Sequence, residues 1–185
     1  MADNRPEPQP EPTVESQVIY QGRILSLRVD TVRLAGGRLT TREIAEHSDS
    51  VCVVPVDEQG NVLLVRQYRK PVEDFLLEIP AGGVEPGEDP QETALRELQE
   101  EISYSAGNVQ HLASFWVSPG WCTEYMHAYL ATDLRPASLD PDYDEAITVE
   151  RVPLANVSEL IHSGEIRDGK SIASLLLALW LLGKE

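Results

Sequence analysis

Cysteine is scarce in this chain: Cys52 and Cys122 are the only two among 185 residues, and they lack the paired spacing of a zinc site. A disulfide framework and a structural zinc are thereby excluded, and reduced thiols in a cytoplasmic protein are expected. Positive charge is also short. Fifteen Lys and Arg stand against 31 Asp and Glu, a formal net charge of −16. General nucleic-acid binding needs clustered basic side chains to release counterions, so no nucleic-acid partner is expected. Long apolar runs are missing as well. The strongest, Ile172 to Leu182 (IASLLLALWLL), is eleven residues, where a membrane span needs about 20. The N-terminal stretch has no apolar run of the sort a secretory signal requires. No membrane partner follows.

What remains is the composition of a globular protein, 42% hydrophobic and 25% charged, long enough for a full hydrophobic core. Residues 1–16 open with alternating Pro, Glu and Gln (RPEPQPEP) and read as a disordered tail. Residues 17–47 carry apolar and β-branched runs broken by Ala35-Gly36-Gly37-Arg38, an antiparallel strand sub-domain with a hairpin turn. Residues 48–185 form the main domain. There, SVCVVPVDE and NVLLVRQYR flank Gln59-Gly60 as a second hairpin. HLASFWVS, EYMHAYLATDL and AITVERVPL read as further strands, and Leu154 to His162 and Ser171 to Leu182 as helices. Strands with interspersed helices predict an α/β (α+β) fold, a mixed sheet covered on both faces.

The chemistry concentrates where a glycine turn, Ala81-Gly82-Gly83-Val84-Glu85-Pro86-Gly87-Glu88, enters a helix capped by Asp89 with Pro90 in its first turn. Glu97, Glu100 and Glu101 lie within an arc of about 100° on that helix. Neighbouring like charges destabilise a helix by about 0.2–0.5 kcal/mol per pair, so some cation has to gather them. Glycines permit close backbone approach, freed carbonyls and Glu88 add oxygen donors, and oxygen-only ligands suit Mg²⁺ or Mn²⁺. Arg96 is spaced to clamp Glu92 or Glu100. Ser118 and the four histidines have no triad-like spacing and are read as structural.

Gly82-x₅-Glu88-x₇-Arg96-Glu97-Leu98-x-Glu100-Glu101 resembles the signature of the Nudix hydrolases, which cleave a nucleoside diphosphate linked to another moiety. The signature continues with a glycine and an aliphatic residue, where this chain has Ser103 and Tyr104. Val65-Arg66-Gln67-Tyr68-Arg69, Leu77-Glu78-Ile79-Pro80-Ala81-Gly82, Thr41-Arg42-Glu43-Ile44-Ala45-Glu46-His47 and Ser118-Pro119-Gly120-Trp121 are similar to the ADP-ribose pyrophosphatase branch. Pro119 stands fifteen residues beyond the signature. The resemblance implies an α/β/α sandwich and Mg²⁺-dependent hydrolysis of ADP-ribose to AMP and ribose 5-phosphate, with Mn²⁺ as a substitute and two or three ions per site. It also implies a homodimer whose N-terminal strands swap to form the partner's adenosine pocket.

Carried onto this sequence, the resemblance makes the Ala81 carbonyl, Glu97 and Glu101 metal ligands and Glu100 a ligand of a second ion. Arg69 would contact phosphate, Gly82 and Glu85 the substrate, Glu124 the terminal ribose, and Ile24 and Glu43 the adenine. Glu145, on a loop after the signature, is the candidate general base, with Glu97 and Glu100 as alternatives. Three other readings stay open: another nucleoside diphosphate derivative such as a nucleotide sugar, NADH or a dinucleotide; a Nudix-fold binding module without catalysis; and an acidic structural protein that binds calcium.

Overall fold

The computed structural model describes residues 9–140 and 146–183. The chain divides into two compact units. One comprises the N-terminal segment to Ser48 together with Ser118–Glu124, and the other Asp49–Val117 and Tyr125–Glu185. The sequence places Ser118–Glu124 in the main domain. Backbone bonds draw it to the first unit instead: Ala45 N–H donates to the Trp121 carbonyl (2.8 Å) and Thr123 N–H to the Ala45 carbonyl (3.0 Å).

In the first unit β1 (Thr13–Gln21), β2 (Leu25–Arg33) and β3 (Leu39–His47) form an antiparallel sheet in that order. Gly36 and Gly37 adopt φ of +90° and +85° at the β2–β3 turn, a backbone that other residues rarely take. The disordered tail expected for residues 1–16 needs correction, because β1 already starts at Thr13. Ser16 Oγ donates to the buried carboxylate of Asp30 (2.6 Å), and Pro12 offers its carbonyl to Arg33 N–H (3.0 Å). Arg42 forks onto the Glu11 carboxylate at 2.9 and 2.7 Å. Polar anchors, rather than apolar burial, fix this segment; all nine β1 residues are exposed.

The second unit holds two sheets. β4 (Ser50–Pro55), β7 (Ala81–Gly83), β9 (Tyr125–Pro136) and β8 (Tyr104–Trp116) make a mixed sheet ordered β7-β4-β9-β8, with β4 and β9 parallel. β5 (Asn61–Arg69), β6 (Asp74–Glu78) and β10 (Ile147–Pro153) make an antiparallel sheet ordered β10-β5-β6. The helices are α1 (Pro90–Glu101), α2 (Val157–Ser163, entered through a 3₁₀ turn) and α3 (Gly169–Leu182). Side chains of a strand alternate between faces. Val51 and Val53 accordingly join a core cluster with Ala94 and Leu98 of α1, while Cys52 and Val54 join one with Leu175 and Ala178 of α3. β5 divides in the same way, Leu63 and Val65 to the first cluster and Val62 and Leu64 to the second. Each fully buried aliphatic side chain contributes about 1.5–3 kcal/mol, so these two strands anchor the sandwich.

The hairpin expected around Gln59-Gly60 forms its turn but not a paired sheet. The turn forms, with the Asp57 carboxylate accepting from Gln59 N–H (3.0 Å) and Asn61 N–H (2.8 Å). Beyond a single bridge between Val56 and Val62, however, β4 and β5 part into different sheets. β4 is buried along its whole length and satisfies its backbone against β7 and β9.

Candidate active site

α1 starts as its sequence dictates. Asp89 accepts from Gln91 N–H (2.8 Å), and Pro90 occupies the first turn, where a missing N–H costs no helix bond. Ala94 and Leu98, fully buried, fix the rotation of the helix, and that rotation turns Glu97 and Glu101 inward, each 8% exposed. A Cβ added to Gly82 would overlap the carboxylate of Glu97. The glycine therefore gives Glu97 room to lie against the turn. Glu101 Oε2 accepts from Ala81 N–H at 3.3 Å, tying the far end of the helix to the same strand.

Arg96 gathers the acids. Its guanidinium reaches Glu97 (2.8 Å), Glu100 (2.8 Å), Glu88 (3.1 Å) and the Gly83 carbonyl (3.1 Å). The clamp on Glu100 follows the helical spacing, that on Glu97 joins neighbours along α1, and that on Glu88 comes from the turn before the helix. Hydrogen bonding from Arg96 holds the Glu88 carboxyl down to about 2, and the surrounding acids raise Arg96 above the usual guanidinium value even though burial opposes this. Glu85, exposed, closes the turn: its N–H donates to Glu88 Oε2 (3.2 Å) and its carbonyl accepts from Glu88 N–H (3.0 Å).

Arg69, at the end of β5, lays its fork on Glu78, with Nε to Oε1 at 2.9 Å and Nη2 to Oε2 at 2.8 Å. Glu78 is 1% exposed and also meets Lys170. Burial pushes its carboxyl up, but the Arg69 hydrogen bonds and the Lys170 charge outweigh it and hold the group below the usual carboxylate value. The sequence singles out Arg69 but not the acid that orients it.

Residues 46–175 match the family described as NUDIX domain, and residues 11–44 match the one described as nucleoside diphosphate sugar hydrolase N-terminal domain. The chain is a Nudix hydrolase. It is 38% identical over 163 residues to the ADP-ribose pyrophosphatase of Bacillus subtilis, covering 87% of this chain and 88% of that protein. It is 37% identical over 167 residues to the methanol dehydrogenase activator of Bacillus methanolicus, covering 89% and 90%. A crystal structure of an ADP compounds hydrolase shares the fold, with a TM-score of 0.88 at 24% identity over 97% of this chain and 98% of that one.

The Nudix signature carries a glycine where this chain has Ser103, and the structure keeps the glycine's geometry: Ser103 adopts φ of +58° directly after the helix cap, Ile102. Its carbonyl accepts from Ala137 N–H at 3.1 Å, which docks the chain after β9 against the helix end. A Nudix hydrolase works with a divalent metal, and the donor chemistry of the residues present suits one. Ala81, Glu97, Glu100 and Glu101 offer only hard oxygen donors, and the missing side chain at Gly82 leaves room for the Glu97 carboxylate. Glu88, Glu97 and Glu100 also all meet the Arg96 guanidinium. Among the described residues no three His, Cys, Asp or Glu side chains are arranged as the ligands of one metal ion. The cation that gathers Glu97 and Glu100 in this structure is Arg96, whose spacing suits the Glu100 contact and which also reaches Glu97.

Ile24, Glu43 and Glu124 fall in the first unit. Ile24 is 64% exposed and lines a shallow depression with Tyr20, Gly22, Arg23 and Leu25; Glu43 points out from β3. Glu145 lies outside the described residues. Two of the histidines share a hydrogen-bonded chain. Ser114 Oγ bonds His111 Nε2 (2.8 Å) and His127 Nδ1 (2.9 Å), and His127 Nε2 faces Asp49 at 3.5 Å. That last separation is beyond a good hydrogen bond and Asp49 is about half exposed, so the chain is a poor nucleophilic triad.

Proposed function

We propose that this Nudix hydrolase cleaves ADP-ribose to AMP and ribose 5-phosphate with Mg²⁺, for which Mn²⁺ substitutes, at a site holding two or three ions. The observation that carries the reading is the 38% identity to an ADP-ribose pyrophosphatase along nearly the whole chain. The placement of Arg69 supports it: β5 and β6 bring a guanidinium fixed in plane to the strand that leads into Ala81 and Gly82. A guanidinium carries five N–H donors, two of its nitrogens meet Glu78, and its planar, permanent positive charge suits a diphosphate.

The Ala81 carbonyl, Glu97, Glu100 and Glu101 hold the metal in this reading. When bound, it neutralises the diphosphate and lowers the pKa of an attacking water. Arg69 orients the diphosphate, and Gly82 and Glu85 border it. Glu145 takes the proton from the attacking water, a role for which Glu97 and Glu100 are the alternatives.

We further assign the protein as a cytoplasmic homodimer in which β1 to β3 of one protomer bring Ile24 and Glu43 to the adenine bound by its partner. Glu124 faces the terminal ribose. The wholly exposed β1 and the apolar depression around Ile24 support this arrangement, since large exposed apolar surface marks an interface.

A panel of ADP-ribose, NADH, GDP-mannose and a dinucleoside diphosphate, read by nucleotide release, tests the substrate. ADP-ribose is expected to have the highest kcat/KM. A nucleotide sugar turned over faster would assign the site to that class.

A further inference from the structure

Two charged side chains behind Arg69 have no part in the chemistry above. Glu78 stands at the end of β6 with 1% of its surface exposed, a place that disfavours an ionised carboxylate unless cations meet it. Two do, from different elements: Arg69 on β5 by a two-point fork, and Lys170 in the first turn of α3. Lys170, only 13% exposed, is shared with Asp168 (2.9 Å). Asp168 caps α3 by accepting from Ser171 N–H (3.0 Å) and Ser171 Oγ (2.6 Å). Ser171, fully buried, takes Ile79 N–H on its own Oγ at 3.0 Å. The first turn of α3 thus grips both the side chain of Glu78 and the backbone that follows it toward Ala81.

Apolar residues of similar volume often stabilise a fold as well as such a buried ionic network or better. A network that ends in a bidentate hold on an arginine does something apolar packing cannot: it fixes the plane and direction of a guanidinium. We propose that Lys170 is a positioning residue for substrate binding, which acts by holding Glu78 in place so that Glu78 fixes the Arg69 guanidinium toward the substrate diphosphate. This rests on the reading of Arg69 as a phosphate contact.

The test is a double-mutant cycle on KM for ADP-ribose, with circular dichroism and Tm measured on each variant. Arg69→Ala is expected to raise KM. Lys170→Met is expected to raise KM about 10-fold or more while lowering kcat less, since loosening an orienting group by about 1 Å costs up to about 100-fold. Lys170→Arg should recover most of the loss. In the Arg69→Ala background, Lys170→Met should add little, because both act through one contact. A folded Lys170→Met protein with wild-type KM, or a full additive effect in the Arg69→Ala background, would overturn the positioning role alone. If Arg69→Ala leaves KM unchanged, the phosphate contact itself falls and the positioning role with it. Should Lys170→Met not fold, Glu78→Gln carries the same cycle, because its amide keeps the shape but not the charge that meets the fork.

Discussion

Gly82→Ala isolates the carboxylate geometry from everything else. The added Cβ would overlap Glu97 at Oε1, Oε2 and Cδ, and these carboxylate atoms are the nearest it meets. The obstacle is the far end of a flexible side chain, so relaxation moves Glu97 rather than the strand. Overpacking a tight site costs about 1–3 kcal/mol. Yielding by a side chain keeps the cost at the low end, and the smaller unfolded-state entropy of alanine returns about 0.4–1 kcal/mol. Stability should therefore change by no more than about 1 kcal/mol. With Glu97 proposed as a metal ligand, activity should not be spared: a displacement of about 1 Å in such a group costs about 100-fold. Gly87→Ala is the control. Gly87 has φ of +88° with open space around it, so alanine there should cost about 1–2 kcal/mol of stability and little activity. Urea unfolding and initial rates on both variants check the pair. Near-wild-type kcat in Gly82→Ala would refute the claim that Glu97 must lie against this turn.

Ser103→Gly relieves a left-handed serine and should stabilise the protein by about 1 kcal/mol, read as a raised urea midpoint with unchanged kcat. Glu88 has a folded pKa of about 2 against an ordinary 4.5, so its ionised form stabilises the fold above pH 4.5 and that contribution is lost as pH falls toward 2. For a partly screened pair it is on the order of 1 kcal/mol, and Glu88→Gln should flatten the urea midpoint over that window. Deleting residues 11–47 should abolish dimerisation and activity together, as sedimentation and rate measurements would show; an active monomer would remove the swapped arrangement.

The acidic turn and helix were legible because every determinant is local: a cap, glycines and carboxylates at helical spacing within some twenty residues. The β4–β5 hairpin was misread because two apolar runs around a turn look alike whether they pair or part. What parts them is the register of β4 against β9, Ser50 opposite Met126 and Pro55 opposite Ala131, which no local pattern carries. Glu78 escaped notice for a related reason. An acid between Leu77 and Ile79 looks like a solvent-facing strand position until Lys170, 92 residues onward, arrives beside it. The start of β1 was hidden because Thr13 and Ser16 are held by Asp30, so the compositional poverty of the tail is a poor guide to where order starts.

If Glu101 helps hold a divalent ion on which ADP-ribose cleavage depends, removing its charge alone should raise the metal requirement. Glu101→Gln keeps the size and helix propensity of the side chain and removes its charge. AMP and ribose 5-phosphate release from ADP-ribose should be measured across a Mg²⁺ titration for wild type and Glu101→Gln, with circular dichroism recorded in excess chelator. Equimolar products, loss of activity without unfolding in chelator, and a sharply raised Mg²⁺ requirement in the variant are expected. Full turnover in excess chelator, or an unchanged Mg²⁺ midpoint in Glu101→Gln, would contradict this role for Glu101.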